Sequence, residues 1–379
     1  MKRKQYIIVG LLLISMFFTS CGEKEIKNIE EKEIQKIEVA NQDNNDQLEE
    51  IKERTIVDLS GKEVIIPNAN EINNVIIISP PLLATYIGAV KDTSKLVGVH
   101  PGAIKNINPD ILNQVVPNWK DINTSFLKGF TSNAEEVLKM NPDIILVYGD
   151  FQKEGLENVE VPIVDFYLKD TKNESWSVRV DELMRDIFEI KEGKTLQDEW
   201  NSAKEITSKV LNNIKDSDKK TAIMIKNNNA ESFTVRGGNY YGDDWLKITG
   251  LINKAKDLEG DSAQVTMEQV YNWNPDIVYD FYGMDASAYL DNSIEGKDWS
   301  LTKAFETKSI YDMPHGMFNW GAPNTDSPLT LIWMTMKNYP GTIEESFFYE
   351  YMKEFYSRQY NVELNDDLIE KILDPTKAK

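Results

Sequence analysis

The chain contains few of the side chains that catalytic or metal sites usually require. It has 379 residues but only two histidines, His100 and His315, and one cysteine, Cys21. It lacks a Gly-x-Ser-x-Gly nucleophile elbow, a Gly-x-x-x-x-Gly-Lys-Ser/Thr phosphate loop and a His-Glu-x-x-His zinc motif. Two histidines do not supply a three-histidine site, although carboxylates could complete a different one. These patterns disfavour an enzyme, a resident cofactor and a bare transition-metal ion as the ligand.

Acidic side chains outnumber basic ones. The chain has 62 Asp plus Glu against 42 Lys plus Arg, a formal net charge of −20. A general nucleic-acid binder needs clustered Lys and Arg to neutralise phosphates, so this class is excluded. A secreted carbohydrate-active hydrolase with paired carboxylates is the alternative from another class, and a structural lipoprotein adhesin is a second.

Cys21 directly follows an N-terminal segment of the secretory type. Basic residues precede an uncharged apolar stretch, residues 7–18, which is too short to span a bilayer. Phe18-Thr19-Ser20-Cys21 resembles the lipobox of bacterial lipoproteins, in which the cysteine becomes the acylated first residue. We therefore expect a signal peptide over residues 1–20 and lipidation of Cys21. The lipid would anchor the extracytoplasmic protein to the cell membrane. Residues 21–53 are polar and lack aromatic side chains, so they are expected to form a flexible tether, with a coiled coil as the alternative.

The folded part alternates between strand-like and helix-like segments. Residues 54–67 contain two β-rich runs around a turn, and Val75–Ile78 is a β-branched run typical of a buried parallel strand. Residues 82–90 have helical apolar spacing, and residues 95–99 return to strand character. This alternation predicts an α/β fold.

One segment of the chain is repeated. Residues 133–149 recur as residues 266–282, and each copy contains a short helix, an Asn-Pro-Asp break and an apolar strand that ends in aromatic residues. Chance is the alternative, because Asn-Pro-Asp-Ile is a common junction between helix and strand. Matching Glu and Val residues in the same register favour a true repeat, which predicts two similar lobes.

Between the copies lies the longest helical pattern of the chain. An apolar stripe runs from Trp176 to Ile190, is interrupted at Gly193, and continues to about Lys215. At 1.5 Å per residue the second part would span about 30 Å, enough to connect two lobes; a surface helix within one lobe is the alternative. We expect an N-terminal lobe over residues 54–192, a connecting helix over 193–216 and a C-terminal lobe over 217–379.

Together these features resemble the substrate-binding lipoproteins of bacterial ABC importers for ferric siderophores, haem and cobalamin. The resemblance extends over about residues 54–373. It is carried by the order along the chain of Val57-Asp58, Gly61–Pro67, the two Asn-Pro-Asp repeats, Val235–Asn239, Glu354–Ser357 and Glu363-Leu364. It implies two Rossmann-like α/β lobes joined by a single long helix, the class III periplasmic-binding-protein fold. It also implies a monomer that passes its ligand to a permease driven by a cytoplasmic ATPase.

The resemblance further implies where the ligand binds. In such a fold the ligand lies between the lobes, outside the carboxyl ends of parallel strands, where aromatic side chains would suit a large, partly planar molecule. Arg236, beside two glycines, is the expected partner of a carboxylate, catecholate or oxyanion, with an ordinary salt bridge as the alternative. The loop over residues 315–321, with Pro323 and Ser327, should cover the mouth. The expected ligand-binding residues are Ser79, Pro80, His100, Tyr148, Arg236, Tyr240, Tyr241, Tyr282, His315, Phe318 and Trp320.

Glu135 and Glu268 occupy matching positions in the two copies of the repeat. Each resembles a Glu through which cobalamin and siderophore binders dock onto basic residues of their permease. The alternative is a solvated Glu that complements the start of a helix.

The resemblance ranks a ferric siderophore first as the ligand, ahead of cobalamin and haem. The segment Met317–Pro323 also resembles relatives that take molybdate or tungstate, so an oxyanion is a further alternative. No metal site of the protein's own is expected, because iron would enter as part of a chelate.

Overall fold

The computed structural model describes residues 53–170, 172–229, 232–282 and 286–377. The expected signal peptide, Cys21 and the tether up to residue 52 lie outside these ranges. Among the helices within these ranges, none has the length and apolar character needed to span a membrane. Because Cys21 is not among the described residues, its lipidation stays a prediction.

The first half of the chain forms a parallel sheet preceded by an antiparallel hairpin. Its strands are β1 (Glu53–Val57), β2 (Glu63–Pro67), β3 (Val75–Ile77), β4 (Leu96–Val99), β5 (Leu127–Lys128), β6 (Thr131–Ser132), β7 (Ile144–Val147) and β8 (Ile163–Asp165). The sheet has the order β4-β3-β7-β8, and all its neighbours pair in parallel. Every residue of β3 and β7 is buried, as expected for apolar strands covered on both faces.

Helices follow the strands of this sheet in the predicted alternation. They are α1 (Pro80–Val90), α2 (Pro101–Lys105), α3 (Pro109–Val115) and α4 (Ala134–Lys139). Pro80 and Pro81 occupy the first two positions of α1, where the missing N–H groups break no bond within the helix. Residues 82–89 are all buried, so α1 packs deep in the first half of the molecule.

The second half builds a larger, mixed sheet. Its strands are β9 (Thr221–Asn228), β10 (Phe233–Val235), β11 (Ile252–Asn253), β12 (Ala263–Gln264), β13 (Ile277–Asp280) and β14 (Ile310–Asp312). Along the order β12-β10-β9-β13-β14, the strands β9, β13 and β14 are parallel, β11 also pairs with β9, and β10 and β12 are antiparallel additions. Two sheets, each with buried parallel strands and covering helices, confirm the predicted α/β class.

Two antiparallel helices run between the halves, α5 (Asn173–Ile187) and α6 (Leu196–Leu211). The helix expected over residues 193–216 is shorter in the structure, where it covers Leu196–Leu211. Gly193 has φ +87° and ends the preceding stretch, and Thr195 starts α6 with a capping box shared with Asp198. Two successive helices thus occupy the region in which the sequence pattern places the connecting helix. The lobe boundaries at residues 192 and 216 stay predictions.

The C-terminal half carries the remaining helices around a shared core. They are α7 (Tyr241–Ile248), α8 (Met267–Trp273), α9 (Ala286–Leu290), α10 (Lys303–Glu306), α11 (Ser327–Asn338), α12 (Glu345–Tyr360) and α13 (Asp366–Leu373). One apolar cluster includes inner residues of both sheets, such as Leu146 and Tyr279, together with α5, α6 and α11. The outer face of each sheet has a separate cluster. The helices between the sheets thus join both halves into one packed body.

Candidate ligand-binding cleft

A cavity of about 590 Å³ lies where elements of both sheets converge. Its size is within the range of sites for drug-sized ligands. Several lining residues follow the carboxyl ends of strands, as Ser79 does after β3 and Tyr148 after β7. The lining residues are Ser79, Pro81, Tyr148, Tyr167, Leu168, Lys169, Asp170, Trp176, Asn239, Tyr240, Tyr241, Ala322 and Pro323.

The first wall of the cavity is an aromatic group from β7, the end of β8 and α5. The Trp176 indole N–H donates to the Tyr148 hydroxyl at 3.2 Å, and the Tyr148 ring meets Tyr167 edge-on at 5.5 Å between centroids. Burial raises the pKa of the Tyr148 hydroxyl, so it remains a neutral donor at pH 7. This wall offers ring faces and a hydroxyl in a fixed arrangement.

The second wall begins at the start of α7. Asn239 has φ +63°, a conformation that Asn tolerates, and its backbone N–H donates to the Asp243 carboxylate at 3.2 Å. The turn brings Tyr240 and Tyr241 to the cavity, with Tyr240 on the exposed side. Burial raises the pKa of Tyr241. Both walls therefore present neutral phenols.

Arg236 lies behind this second wall rather than in the cavity lining. Its side chain is fully buried, Nη1 pairs with the Asp261 carboxylate, and the guanidinium lies over the Phe281 ring at 3.9 Å and the Tyr241 ring at 4.7 Å. A Cβ at Gly238 would meet the Lys256 carbonyl oxygen at 2.0 Å, so glycine is required there by backbone packing. The backbone that approaches Gly238 closely is therefore that of Lys256.

The two histidines do not line the cavity. His100 starts α2, its Nδ1 accepts from the Gly102 N–H at 2.9 Å, and its ring stacks on Phe130 at 4.7 Å. His315 Nε2 lies 2.8 Å from the Asn319 side-chain nitrogen. Burial lowers the pKa of both, that of His315 to about 4. In the described part of the chain, no group of three or more His, Cys, Asp or Glu is arranged to hold a metal ion.

The loop after His315 is folded into the core instead of covering the mouth. Trp320 is fully buried, and its indole N–H donates to the Asp326 carboxylate at 3.0 Å. The same carboxylate accepts from the hydroxyls of Tyr356 and Tyr360, at 3.1 and 2.7 Å. These bonds hold the loop inward. Only its continuation, Ala322 and Pro323, lines the cavity.

Three further expected residues are not among the lining residues of the cavity. Pro80 starts α1, but its neighbour Pro81 provides the lining. Tyr282 is 56% exposed and packs edge-on against Phe281, and Phe318 is partly buried against the core. Of the expected set, the cavity thus brings together Ser79, Tyr148, Tyr240 and Tyr241.

Trp176 and the segment Tyr167–Asp170 were not among the expected residues. Tyr167 follows β8, a strand parallel to β7, so the rule that ligands bind at carboxyl ends of strands would have found it. Trp176 is on the stripe of α5 that the sequence pattern assigns to packing. No signal in the pattern separates this ring from its buried neighbours.

The repeat is also visible in the structure. Glu135 and Glu268 are the second residues of α4 and α8, and both are exposed. The helices begin with equivalent caps, in which the Asn133 and Thr266 side chains each accept a backbone N–H at 3.2 Å. The two Glu side chains are therefore presented to solvent in the same local setting.

Solved structures with this fold include several solute-binding proteins. A periplasmic solute binding protein from Veillonella parvula DSM 2008 matches with a TM-score of 0.72 and 28% identity, over 86% of this chain and 98% of that chain. The molybdate periplasmic binding protein MolA of Haemophilus influenzae has a TM-score of 0.69 and 18% identity, over 82% and 99%. CeuE of Helicobacter pylori, in a complex with nickel and histidine, has a TM-score of 0.65 and 16% identity, over 85% and 99%.

The sequence matches the periplasmic binding protein family over residues 90–316, more than half of the chain. Among proteins with curated descriptions, none matches it in sequence. The chain belongs to the periplasmic binding protein family. It is an extracytoplasmic solute-binding protein of the ABC transport type, a class that works with a permease and an ATPase.

Proposed function

We propose that the protein captures a ferric-siderophore-type chelate in the cleft and delivers it to an ABC permease. The observation that carries this proposal is the cavity of about 590 Å³ lined by five aromatic rings, from Tyr148, Tyr167, Trp176, Tyr240 and Tyr241. Rings of this number supply contact area and stacking for a bulky organic ligand. A four-oxygen oxyanion would fill only a small part of this space.

The chemistry of the lining favours a metal that brings its own ligands. Among the described residues, the lining contains one carboxylate, Asp170, and neither histidine nor cysteine. Tight binding of a bare metal ion requires several such donors from the protein. A chelate needs none of them, because its own oxygen or nitrogen atoms already fill the coordination sphere.

Haem is the second candidate because four of the five rings are tyrosines. A tyrosine hydroxyl can serve as an axial ligand of haem iron. Cobalamin and molybdate are weaker candidates: no lining feature distinguishes cobalamin from the other large ligands, and an oxyanion would use backbone N–H groups more than rings.

Delivery would use the two matching glutamates and the N-terminal anchor. Glu135 and Glu268 are exposed at equivalent places on two matching helices, which suits docking onto basic residues of a permease. Lipidation of Cys21 would keep a monomeric protein close to that permease, with residues 21–53 as the tether. Lobes over residues 54–192 and 217–379 would enclose the cargo.

A titration in parallel tests the cargo. Ferric siderophores, haem, cobalamin and molybdate are each added to the full chain while its intrinsic fluorescence is recorded. We expect a ferric siderophore to quench at the lowest concentration, and the Trp176→Phe variant to lose most of that quenching while the other seven of the eight tryptophans remain. Quenching by molybdate alone would overturn the proposal, and quenching by haem alone would transfer it to the second candidate.

A further inference from the structure

We infer that the cargo chelate carries little or no net negative charge. This inference rests on the proposed function and adds a property of its substrate. Positive potential at the cleft could come from the first turn of α1, the first turn of α7, Arg236 behind Tyr241, and Lys169 in the lining. The first three sources are already used within the protein, and Lys169 is accompanied in the lining by Asp170.

The start of α1 has lost the donors that an anion would use. Helix N-termini bind anions through their free backbone N–H groups. Pro80 and Pro81 have no N–H, and the Leu82 N–H donates to the Ser79 carbonyl at 3.1 Å. Ser79 and Pro81 both line the cavity, so this turn faces the ligand with a hydroxyl and an apolar ring rather than with amide donors.

The start of α7 carries its own negative charge. Asp243 and Asp244 are in its first turn. Asp243 accepts the Asn239 N–H at 3.2 Å, and Asp244 accepts both the backbone and the side-chain N–H groups of Asn173, at 2.8 and 3.0 Å. These carboxylates already complement the positive end of the helix, and Asp243 also pairs with Lys247, so this helix start offers little free positive potential to an anionic ligand beside Tyr240.

The guanidinium of Arg236 is enclosed by protein groups instead of lining the cavity. It pairs with the Asp261 carboxylate, which also pairs with Lys226, while Phe281 and Tyr241 cover its faces. Among the described lining residues, Lys169 and Asp170 contribute one charge of each sign. The whole chain adds a net charge of −20, so a polyanion approaching the cleft meets an unfavourable field.

Two ferric chelates of similar size and different charge test this inference. A neutral ferric trishydroxamate and a trianionic ferric triscatecholate are titrated into the full chain by calorimetry. We expect the neutral chelate to bind at least about tenfold more tightly, and its Kd to change by less than about twofold between about 50 and 500 mM salt, because no ion pair is screened.

The outcomes separate the two levels of the proposal. Equal or tighter binding of the triscatecholate, or a severalfold loss of affinity for the trishydroxamate in high salt, would overturn the charge inference alone. Failure of both chelates to bind would overturn the proposed function and this inference with it.

A gain of function gives a second test. Pro81→Ala restores a backbone N–H at the second position of α1, beside the cavity. We expect it to raise the affinity for the triscatecholate relative to that for the trishydroxamate by about twofold to fivefold, because the added N–H favours the anionic chelate. Pro323→Ala is the matched control, because it removes a lining ring that does not start a helix, and it should change neither Kd selectively. An equal effect of Pro81→Ala on both chelates would contradict the inference.

Discussion

The first copy of the repeat, residues 133–149, and the second, residues 266–282, agree over their helices and differ at the ends of their strands. Glu135 and Glu268 are equally exposed near the starts of α4 and α8. At the strand ends the matched residues are Tyr148, which lines the cavity, and Phe281, which is buried under Arg236. The two copies thus carry the same residue type on their exposed helices and different residue types at their strand ends.

This difference fits two separate tasks. A permease with two similar subunits would be recognised best by two similar surfaces, which favours equal residues on the outer helices. A single cargo bound between the lobes has no such symmetry, so the two walls are free to diverge. We interpret the repeat as a scaffold whose helices serve the transporter and whose strand ends serve the cargo.

The largest effect is expected on uptake, from substitution of the two matching glutamates. We expect Glu135→Lys together with Glu268→Lys to abolish uptake, because both contacts to basic residues of the permease would become repulsive. The Kd of the soluble variant for its cargo should stay within about twofold of the unchanged protein, since neither residue lines the cavity. Uptake of labelled cargo by cells and calorimetry of the purified protein measure the two effects.

A matched pair of substitutions controls for net charge. Glu205→Lys with Asp216→Lys makes the same change of charge at exposed acids away from the repeat. This variant should transport normally. Equal loss of uptake in both double variants would mean that overall charge, and not the repeat, governs delivery.

Substitutions of the two unlike residues at the strand ends should have different effects, on binding at Tyr148 and on stability at Phe281. Tyr148→Ala is expected to weaken cargo binding by about tenfold to a hundredfold, as loss of a central aromatic contact does. Phe281→Ala removes a buried ring and uncovers one face of Arg236, so it should lower the free energy of unfolding by about 3 to 5 kcal/mol. Calorimetry and urea unfolding distinguish them. Tyr148→Phe is the conservative control, and similar behaviour of the two alanine variants would contradict the assigned division.

The aspartates of the Asn-Pro-Asp breaks offer a smaller contrast. Asp143 accepts the backbone N–H groups of Asn73 and Asn74 at 2.7 and 2.8 Å, whereas Asp276 accepts the Thr221 N–H and hydroxyl at 2.7 and 2.8 Å and also pairs with Lys303. Burial alone would raise the pKa of Asp276, but the bonds from Lys303 and Thr221 outweigh it and the pKa is lowered.

Because the folded pKa of Asp276 is below its unfolded value, its contribution to stability is present above the unfolded pKa and is lost as the pH falls through the folded one. We expect Asp276→Asn to cost about 1 to 2 kcal/mol at pH 7. That difference from the unchanged protein should shrink below about pH 4. Urea unfolding at several pH values measures it, and a cost independent of pH would argue against an ionised Asp276.

The smallest contrast concerns the asparagines of the same breaks. Asn141 and Asn274 have φ values of +48° and +42°, which L-residues other than Asn rarely adopt. Alanine should cost about 1 kcal/mol at Asn141 and more at Asn274, where it also removes a side-chain hydrogen bond. Glycine should be nearly neutral at Asn141, but at Asn274 it should still lose the bond that Oδ1 accepts from the Lys303 N–H at 2.8 Å. Thermal unfolding of the four variants tests this order, and equal stability of the two glycine variants would contradict it.

The sequence predicts the repeat and the α/β class well because both depend on local pattern. Buried β-branched strands, the Asn-Pro-Asp breaks and exposed helix-start glutamates are all visible without tertiary contacts. The rule that ligands bind at carboxyl ends of strands singles out Ser79 and Tyr148, and both line the cavity.

Side-chain direction is what the pattern does not contain. Arg236 and Trp320 are on loops beside the cleft, yet Asp261 and Asp326 draw their polar groups inward, and these partners are 25 and 6 residues away in sequence. Trp176 has the spacing of a packing residue and nevertheless borders the cavity. Whether a ring on an apolar stripe reaches a cleft depends on where the neighbouring element ends, and this is decided by tertiary packing.

The location of the iron in a crystal of the complex tests the central claim most directly. The protein is crystallised with a neutral ferric trishydroxamate, and the anomalous signal of iron is mapped. We expect one strong peak in the cavity, between the rings of Tyr148 and Trp176 on one side and Tyr240 and Tyr241 on the other. A peak outside this cavity, or a cavity that remains without iron at saturating chelate, would contradict the account.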